Sequence, residues 1–444
     1  MSSPIFAQGH LRSNCFRLVS HTTLIVSVFA SFGEAIAAPP PLTFGQAQQQ
    51  AVARSRQLTA QDLAIAGSRE MAVAAGQRPD PMLKAGIDNV PVSGADRYSL
   101  GGDFMTMRRL GISQELTRAD KLQWRAARFE REAQKTEAQK DVVLAAIQRD
   151  TAIAWLERYY TEQMALLVAQ QADQARREID AAEAAYRGGR GTRADILAAR
   201  SALLMLGDRA SEIDRRVDVA RVMLARWTGA SGDQVLEGVP ELDKIRLDSA
   251  TLDTALAHHP QVAVLNRQQE VARADANLAR ANQRADWSVE VAFQQRGSAY
   301  SNMVSVGVSV PLQWDRAHRQ DRELAARLAT VDQVAAERDE LLREHVAETR
   351  ATVVEWESGK ERVGRYEREL IPLSGVRTGA VLASYRGGKA TLTDVLAARR
   401  NETEVRLQAV QLRMDTARLW AKLNYLFPER ANEGHRTMIS KESK

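Results

Sequence analysis

Long stretches of the chain repeat apolar residues at the spacing of an α-helix. Between residues 119 and 187 there is no proline, and apolar side chains recur three or four positions apart. The clearest series is Ile153, Leu156, Tyr160, Met164 and Leu167. This period predicts a single helix over the whole segment. At ~1.5 Å per residue, that helix would be about 100 Å long.

Shorter helices flank the long one. Residues 43–79 predict one or two helices, which end at Pro79 because proline cannot continue a helix. The glycine pair Gly188 and Gly189 breaks the long helix, and a further helix is predicted from about 192 to 228. Laid end to end, the shorter helices nearly match the long one in length. The pattern therefore predicts two parallel columns of helix, one continuous and one spliced from two pieces.

Alternation of apolar and polar residues predicts four strands. Apolar and small polar residues alternate strictly over residues 303–310, which predicts a strand with one apolar and one polar face. The strand before it, which contains Val289 to Phe293, alternates in the same way. In the first half of the chain, short segments near 81–90 and 102–116 are also predicted to be strands, although Gln114 interrupts the apolar set of the second. Strands of about ten residues with this alternation are typical of outer-membrane barrels.

Aromatic residues mark the ends of the predicted strands. Trp287 and Trp314 lie at the helix-side end of the hairpin 286–313, and Tyr98 and Tyr300 lie at the opposite end, as in an aromatic girdle. The alternative is a pair of solvent-facing hairpins packed on helices, but the helical columns leave no face obviously placed to cover them. Four strands cannot close a barrel, since the smallest natural ones use about eight. Membrane insertion therefore requires several chains, two giving eight strands and three giving twelve.

The chain contains this arrangement twice. Residues 186–200 return as residues 385–399 in a register of 199 residues, each beginning with Tyr-Arg-Gly-Gly. Three further landmarks recur in the same order: Leu110–Leu116 with Val306–Leu312, Gln77–Asp80 with Gln283–Asp286, and Ala51–Leu58 with Ala255–Val262. Each half is therefore predicted to be one structural unit.

The first 37 residues predict a secretory signal peptide. Arg12 and Arg17 precede a short apolar run, residues 24–32, and Ala35–Ala38 then supply a small-residue cleavage site. A membrane anchor is the alternative, but the run is much shorter than the ~20 residues of a spanning helix. Export is therefore expected.

Composition narrows the function classes. Lys and Arg number 61 against 56 Asp and Glu, which leaves a formal net charge of +5 without a dense basic block, so no nucleic-acid partner is expected. Aromatic residues make up 5% of the chain, which suits long helices better than a large aromatic core. The single cysteine, Cys15, excludes a disulfide framework and a cysteine-based zinc site.

Candidate chemistry is sparse. Gly188–Thr192 resembles a phosphate-binding loop only superficially, because it lacks the motif's lysine and no strand precedes it. His258 and His259, and His345 with Glu348, are candidate metal ligands, but adjacent histidines make a poor tetrahedral pair, and surface histidines are expected instead. No catalytic, cofactor-binding or metal site is predicted, and an enzyme is not expected.

The chain resembles the TolC family of outer-membrane efflux proteins over residues 42–428. Three features carry the resemblance: the duplicated helix–hairpin–helix unit, the paired Tyr-Arg-Gly-Gly turns and the segment Val306–Leu312. The segments Asp80–Pro91 and Phe104–Glu115 are similar to the heavy-metal branch of that family, the CzcC-like proteins. The resemblance implies a mainly α protein with a small β part. Three chains would build a long α-helical barrel and a transmembrane β-barrel, with four strands from each chain.

The resemblance also implies a function. Such proteins are exit ducts of tripartite pumps, so we expect a homotrimer in the outer membrane with a tunnel of helices in the periplasm. The implied partners are a periplasmic adaptor (membrane fusion protein) and an inner-membrane RND transporter, and the implied cargo is heavy-metal cations. Drug efflux and type I secretion are alternatives within the family. A soluble periplasmic coiled-coil adaptor or chaperone is the alternative from a different class.

Five segments are expected along the chain. They are a signal peptide at 1–37, a first efflux-protein repeat at 38–235, a linker at 236–250, a second repeat at 251–428 and a charged tail at 429–444.

The resemblance places the helix–helix turns at the periplasmic end of the tunnel, where they form the aperture and dock the adaptor. The positions carried over are Tyr186, Gly188, Gly189, Thr192, Asp195, Leu197, Tyr385, Gly387, Gly388, Thr391, Asp394 and Leu396. The residues themselves predict helix caps, with Thr192 and Thr391 as N-caps and Asp195 and Asp394 at the third helical position. Some relatives carry a second carboxylate where this chain has Ala397. Three copies of Asp394 would still form a cation-attracting constriction.

Overall fold

The computed structural model describes residues 40–229, 232, 234–248 and 251–429. The predicted signal peptide and residues 430–444 of the predicted tail lie outside the described residues. Glu429, the last described residue, is held by two hydrogen bonds to the Gln148 side chain, of 2.9 Å through its carbonyl and 2.8 Å through its N–H.

The first repeat contains four helices, as its periodicity predicts. They are α1 (Phe44–Arg54), α2 (Arg56–Ala75), α3 (Ala119–Arg187) and α4 (Arg193–Thr228). The long helix α3 has the predicted bounds. Thr43 begins α1 with a capping box to Gln46, and Ser55 separates α1 from α2 by accepting the N–H of Leu58.

The second repeat has the same plan. Its helices are α5 (Leu252–Leu256), α6 (Pro260–Asn282), α7 (Gln320–Arg365), α8 (Ile371–Arg386) and α9 (Leu392–Asn424). α9 carries an apolar seam in which Leu407, Met414 and Ala417 are buried.

One turn of π-helix, Tyr366–Leu370, joins α7 to α8. Pro372 is the second residue after this turn, and it has no N–H for the carbonyl four residues earlier. A wider turn at this point relieves the contact between the proline ring and that carbonyl. The first repeat has no such turn, because α3 is α-helical throughout. The continuous column of the second repeat is therefore interrupted where that of the first is not.

The helices pack side by side as alternating columns. α2 lies along the first half of α3, where Lys140 pairs with Asp62 at 2.5 Å, and α4 lies along its second half. On the other flank of α3 lie α6, where Arg128 pairs with Asp275 at 2.9 Å, and then α9. α7 packs on α6 and α9, and α8 packs on α9. The predicted continuous and spliced columns are thus confirmed.

The main core lies midway along the columns. Trp155 of α3 is fully buried, with Phe44 of α1 edge-on to it at 5.5 Å between ring centroids. The predicted linker crosses this region, where the Trp420 indole donates to the carbonyl of Lys244 at 2.8 Å. Here two short strands that the alternation pattern did not predict, β1 (Leu42–Thr43) and β4 (Leu236–Glu237), pair in parallel. The core therefore joins both repeats and the linker.

The remaining strands form one antiparallel sheet. They are β2 (Met82–Asp88), β3 (Met107–Leu116), β5 (Trp287–Gln295) and β6 (Met303–Ser309), in the order β2-β3-β5-β6. β3 begins five residues later than predicted, because residues 89–106 form a loop that Thr106 closes with a 3.0 Å hydrogen bond to the Asn89 carbonyl. Each repeat contributes one hairpin, and β3 pairs with β5 across the repeats.

Candidate functional site

The sheet has one apolar face that no described part of the chain covers. Its large side chains are between 46% and 71% exposed. They are Leu83, Ile87, Leu110, Ile112, Val291, Phe293, Val304, Val306 and Val308. The strand register places them together, since Ile112 lies opposite Val291 and Val291 lies opposite Val306. We call this set the apolar face.

The opposite face of the sheet is polar and carries a compact charge cluster. Lys84 Nζ lies 2.6 Å from Glu290 Oε2, and the guanidinium of Arg109 pairs with Glu290 as well. Asp88 lies 3.8 Å from Arg109, which completes a set of two cations and two carboxylates. We call this side the polar face. A sheet with these two faces suits a boundary between lipid and water.

The aromatic residues flank the sheet as predicted. Trp287 begins β5 and is exposed, and Trp314 follows β6 on the helix side and is also exposed. Tyr98 and Tyr300 lie in the loops at the far end, each with an arginine above its ring. Exposed tryptophan and tyrosine at both ends of an apolar band are typical of membrane interfaces.

Both predicted helix–helix turns have the same local structure. α3 and α8 end at Gly188 and Gly387, and the glycine after each is left-handed, with φ of +71° at Gly189 and +72° at Gly388. A left-handed residue after a helix favours glycine because a Cβ would be strained there. The prediction that these glycines end the helices is confirmed.

Each turn then starts the next helix with a capping box. Thr192 Oγ1 accepts the N–H of Asp195 at 3.2 Å, and Asp195 Oδ2 accepts the N–H of Thr192 at 2.8 Å. Thr391 and Asp394 make the same pair of bonds, at 3.2 and 2.9 Å. Hydrogen bonds from the Thr391 hydroxyl and backbone hold the pKa of Asp394 below its ordinary value. The predicted capping role of both aspartates is confirmed.

The two turns meet, although 199 residues separate them in sequence. A small buried cluster joins α3, α4 and α9 at this end of the columns, which we call the tip cluster: Ala182, Ala199, Leu392 and Val395. Tyr385 and Leu396 pack against it, whereas Tyr186 and Leu197 of the first turn are exposed. The tyrosine and leucine of the second turn are thus packed, whereas their counterparts in the first turn are not.

Polar contacts hold the columns together beside the tip cluster. Arg399 Nε lies 3.1 Å from Glu178 Oε1, and Thr403 donates to Gln171 at 3.1 Å in a buried bond. Burial raises the pKa of Glu178, although the neighbouring Arg399 opposes the shift. A cavity of about 690 Å³ opens between α3, α4 and α9 at this level. These contacts join α3 of the first repeat to α9 of the second.

Solved structures share this architecture. The chain matches the outer-membrane channel OprN over 87% of its own length and 90% of that chain, with a TM-score of 0.72 and 15% identity. It matches CusC, whose structures were described for conformational changes during folding and transmembrane channel formation. That match covers 87% of this chain and 92% of CusC, with a TM-score of 0.74 and 14% identity. It matches the open state of the MtrE outer-membrane channel of Neisseria gonorrhoeae over 86% and 88%, with a TM-score of 0.68 and 14% identity.

The chain has the fold of these outer-membrane channels. No protein-family model and no curated protein sequence matches it. Within this channel fold the sheet and the turns lie at opposite ends of α3, whose 69 residues separate them by about 100 Å. Among the described helices, none is both long and apolar enough to cross a membrane.

One of the candidate metal ligands is placed differently from expectation. His259 is buried, so the expectation of a surface histidine is wrong for it, and its ring centroid lies 4.2 Å from that of His345. His258 is exposed and its Nδ1 lies 3.1 Å from the Thr254 carbonyl. In the described part of the chain, no cluster of three or more His, Cys, Asp or Glu side chains could hold a metal ion.

Sequence reasoning missed the residues that pack the turns together. Leu392 and Val395 are 4% and 1% exposed, and they bury themselves against Ala182 and Ala199 of the other repeat. Their spacing of three in an apolar stretch was the available signal, but it does not identify a partner two hundred residues away. No local sequence pattern predicts the ion pair between Glu178 and Arg399.

Proposed function

We propose that the chain is one subunit of a trimeric outer-membrane channel, the exit duct of a tripartite efflux pump. The apolar face of the sheet is the observation that carries the proposal. Soluble monomers rarely expose a contiguous apolar patch larger than a few hundred Å². A face of nine large exposed apolar side chains on four paired strands is far more compatible with lipid than with water.

The sheet also supports an assembly of several chains. β2 and β6 are its two edges, and neither pairs with a further strand among the described residues. Unpaired edges cannot lie in lipid, because their backbone groups would lack hydrogen bonds. Pairing β6 of one chain with β2 of the next would remove every edge, and three chains would give a barrel of twelve strands.

The helices support the same closure. α3 packs between two spliced columns, one from each repeat, whereas the column of α7 and α8 packs on one. Its opposite side carries exposed apolar residues, among them Val354, Leu373 and Val376. The spliced column of the first repeat also exposes apolar side chains, including Leu204 and Val222 on α4. A ring of chains would place these two surfaces against each other, as α3 and α9 already pack within one chain.

The partners and the cargo rest on the sequence resemblance. A periplasmic adaptor would engage the two turns, and an inner-membrane RND transporter would supply the energy. Heavy-metal cations are the proposed cargo, because the segments around β2 and β3 are similar to the CzcC-like branch. Drug efflux or type I secretion would use the same duct. A soluble periplasmic adaptor is less compatible with the exposed apolar face.

Location and assembly are tested together. The full chain is expressed, and the cells are separated into periplasmic and outer-membrane fractions. Protein from the outer membrane is then extracted in detergent, and the mass of the intact complex is measured by native mass spectrometry. A mass of three chains in the outer-membrane fraction is expected. A soluble periplasmic pool with no outer-membrane material would exclude the channel.

Cargo is tested by growth of a deletion strain, with and without the restored gene, on divalent and monovalent metals and on hydrophobic drugs. Sensitivity to metals alone supports the proposed cargo and identifies the cation. Sensitivity to drugs alone would keep the channel and reject metals. Restoration by the gene is the control for effects on neighbouring genes.

The aperture role of the aspartates has its own test. Asp195→Asn with Asp394→Asn removes two charges per chain and leaves an amide oxygen to accept the cap hydrogen bonds. In planar bilayers under a salt gradient, the double variant should lose cation preference relative to the unchanged protein. Asp332→Asn, an exposed carboxylate on α7 outside the turns, is the matched control. Equal reversal potentials in all three proteins would reject the role.

A further inference from the structure

Two adjacent arginines of β3 point to opposite faces of the sheet. Arg109 lies on the polar face, where Glu290 and Asp88 neutralise it. Arg108 lies on the apolar face, because successive strand residues alternate sides. Its guanidinium is exposed and makes no ion pair or hydrogen bond with any described residue. A cation without a partner on an otherwise apolar surface needs an anion from elsewhere.

The strand register places a second polar side chain beside it. Arg108 lies opposite Gln295 of β5, on the same face, and opposite Ile87 of β2 on its other side. Gln295 is exposed, and its amide can donate hydrogen bonds. Asp88, the carboxylate next along β2, is on the polar face and bound to Arg109. Two hydrogen-bond donors therefore meet at this point of the apolar face, and no carboxylate lies there to accept from them.

Its height along the strand places this pair at the edge of the membrane. Arg108 is eight residues from Leu116, which lies opposite Trp287 at the helix end of the sheet. Eight residues span about 27 Å along a strand, which is about 20 Å along the membrane normal at the usual strand tilt. The lipid-facing band of outer-membrane barrels is about 25 Å tall. With Trp287 at one boundary, Arg108 lies within about 5 Å of the other, on the side away from the helices, where its long side chain can reach the headgroups.

We infer that Arg108, with Gln295 beside it, binds the phosphate group of an outer-leaflet lipid. The inference rests on the proposed function, since it requires the apolar face to lie in a membrane with the helices on the periplasmic side. The planar guanidinium matches two phosphate oxygens at once, which is the strongest geometry available to an arginine. Three chains would carry three equivalent sites around the barrel.

The test measures lipid retention by the intact complex. The full protein is reconstituted into phosphatidylcholine vesicles with and without a minor fraction of phosphatidic acid, extracted, and its bound lipids are counted by native mass spectrometry. Wild type should retain phosphatidic acid in preference to phosphatidylcholine. Arg108→Gln should weaken that retention about tenfold, the loss expected for one charge-assisted hydrogen-bonded contact. Arg108→Lys, which keeps the charge but not the fork of donors, should retain an intermediate amount.

Arg109→Gln is the matched control, because it removes the neighbouring arginine from the other face and should leave lipid retention unchanged. Equal retention by wild type and Arg108→Gln, in protein that inserts and conducts, would overturn the lipid site and leave the channel intact. Retention of inorganic phosphate as strong as that of phosphatidic acid would overturn the assignment to a lipid. Failure of wild type to enter vesicles of either composition would instead overturn the proposed function.

Discussion

The buried histidine at the start of α6 makes a specific contribution to the dependence of stability on pH. His259 is the N-cap of α6, and its Nδ1 accepts the N–H of Gln261 at 3.3 Å. It is 7% exposed and lies against the rings of His345 and Phe427. Burial, and then the charge of His345, lower the pKa of His259 to about 4 from an ordinary 6.5.

The sign and size of the effect follow from that shift. Between pH 6.5 and about 4, the unfolded chain binds a proton at residue 259 and the folded chain does not. The free energy of unfolding therefore falls as the pH falls through this window. At about 1.4 kcal/mol per pKa unit, His259 accounts for a loss of about 3 kcal/mol. For a folded region of this size, that loss lowers the melting temperature by about 4 °C.

The assay compares His259→Asn with wild type. Asparagine is a favoured N-cap, so it replaces the bond to Gln261 without titrating. Melting of the purified full protein in detergent is followed by circular dichroism at pH 7 and at pH 4. Wild type should lose about 4 °C more than the variant, whereas His258→Asn, at the exposed neighbour, should behave as wild type does. Identical losses in wild type and His259→Asn would refute the argument from burial.

Three further changes should have measurable effects. Thr391→Ala removes the capping box of α9 and should lower the free energy of unfolding by about 1 kcal/mol, whereas Thr391→Ser should not; equal denaturation midpoints would contradict this. Asp286→Asn removes the carboxylate that lies 2.6 Å from the buried ammonium of Lys121, and should lower the free energy of unfolding by about 3 kcal/mol or more. An unchanged free energy of unfolding would show that water solvates the lysine. Gly359→Ala would place a Cβ 2.6 Å from Thr416 Oγ1 and should lower the melting temperature, and a second change, Thr416→Ala, should restore most of the loss.

The elements could be predicted from the chain because their signals are local. The period of α3, the glycines at its end and the alternation in β6 each depend on residues close in sequence. The duplication then predicted that each half is one structural unit with the same plan.

The rest depends on contacts between distant residues. His259 was expected on the surface because the sequence around it does not predict contact with His345 or Phe427. His345 lies on α7 and Phe427 lies after α9, and both rings pack against His259. The pairing of β1 with β4 involves two residues on each side, too few to produce a pattern. The partners of Leu392 in the tip cluster are likewise fixed by packing between repeats, which no single segment encodes.

The π turn determines which side of α8 faces α9. Its hydrogen bonds join residues five apart, so Tyr366–Leu370 takes up about one residue more than a turn of α-helix would. Beyond it, the buried residues of α8 are Ser374 and Thr378, and α8 packs on α9.

A continuous α-helix of the same residues would present a different side to α9. Everything beyond the turn would be rotated by about 100° around the helix axis. Ser374 and Thr378 would then turn away from α9, and the buried bond from Thr378 to the Ala398 carbonyl, 3.4 Å long, would be lost. Within five residues, the wide turn thus keeps α8 in phase with α9 and the glycine turn at its end beside that of the first repeat.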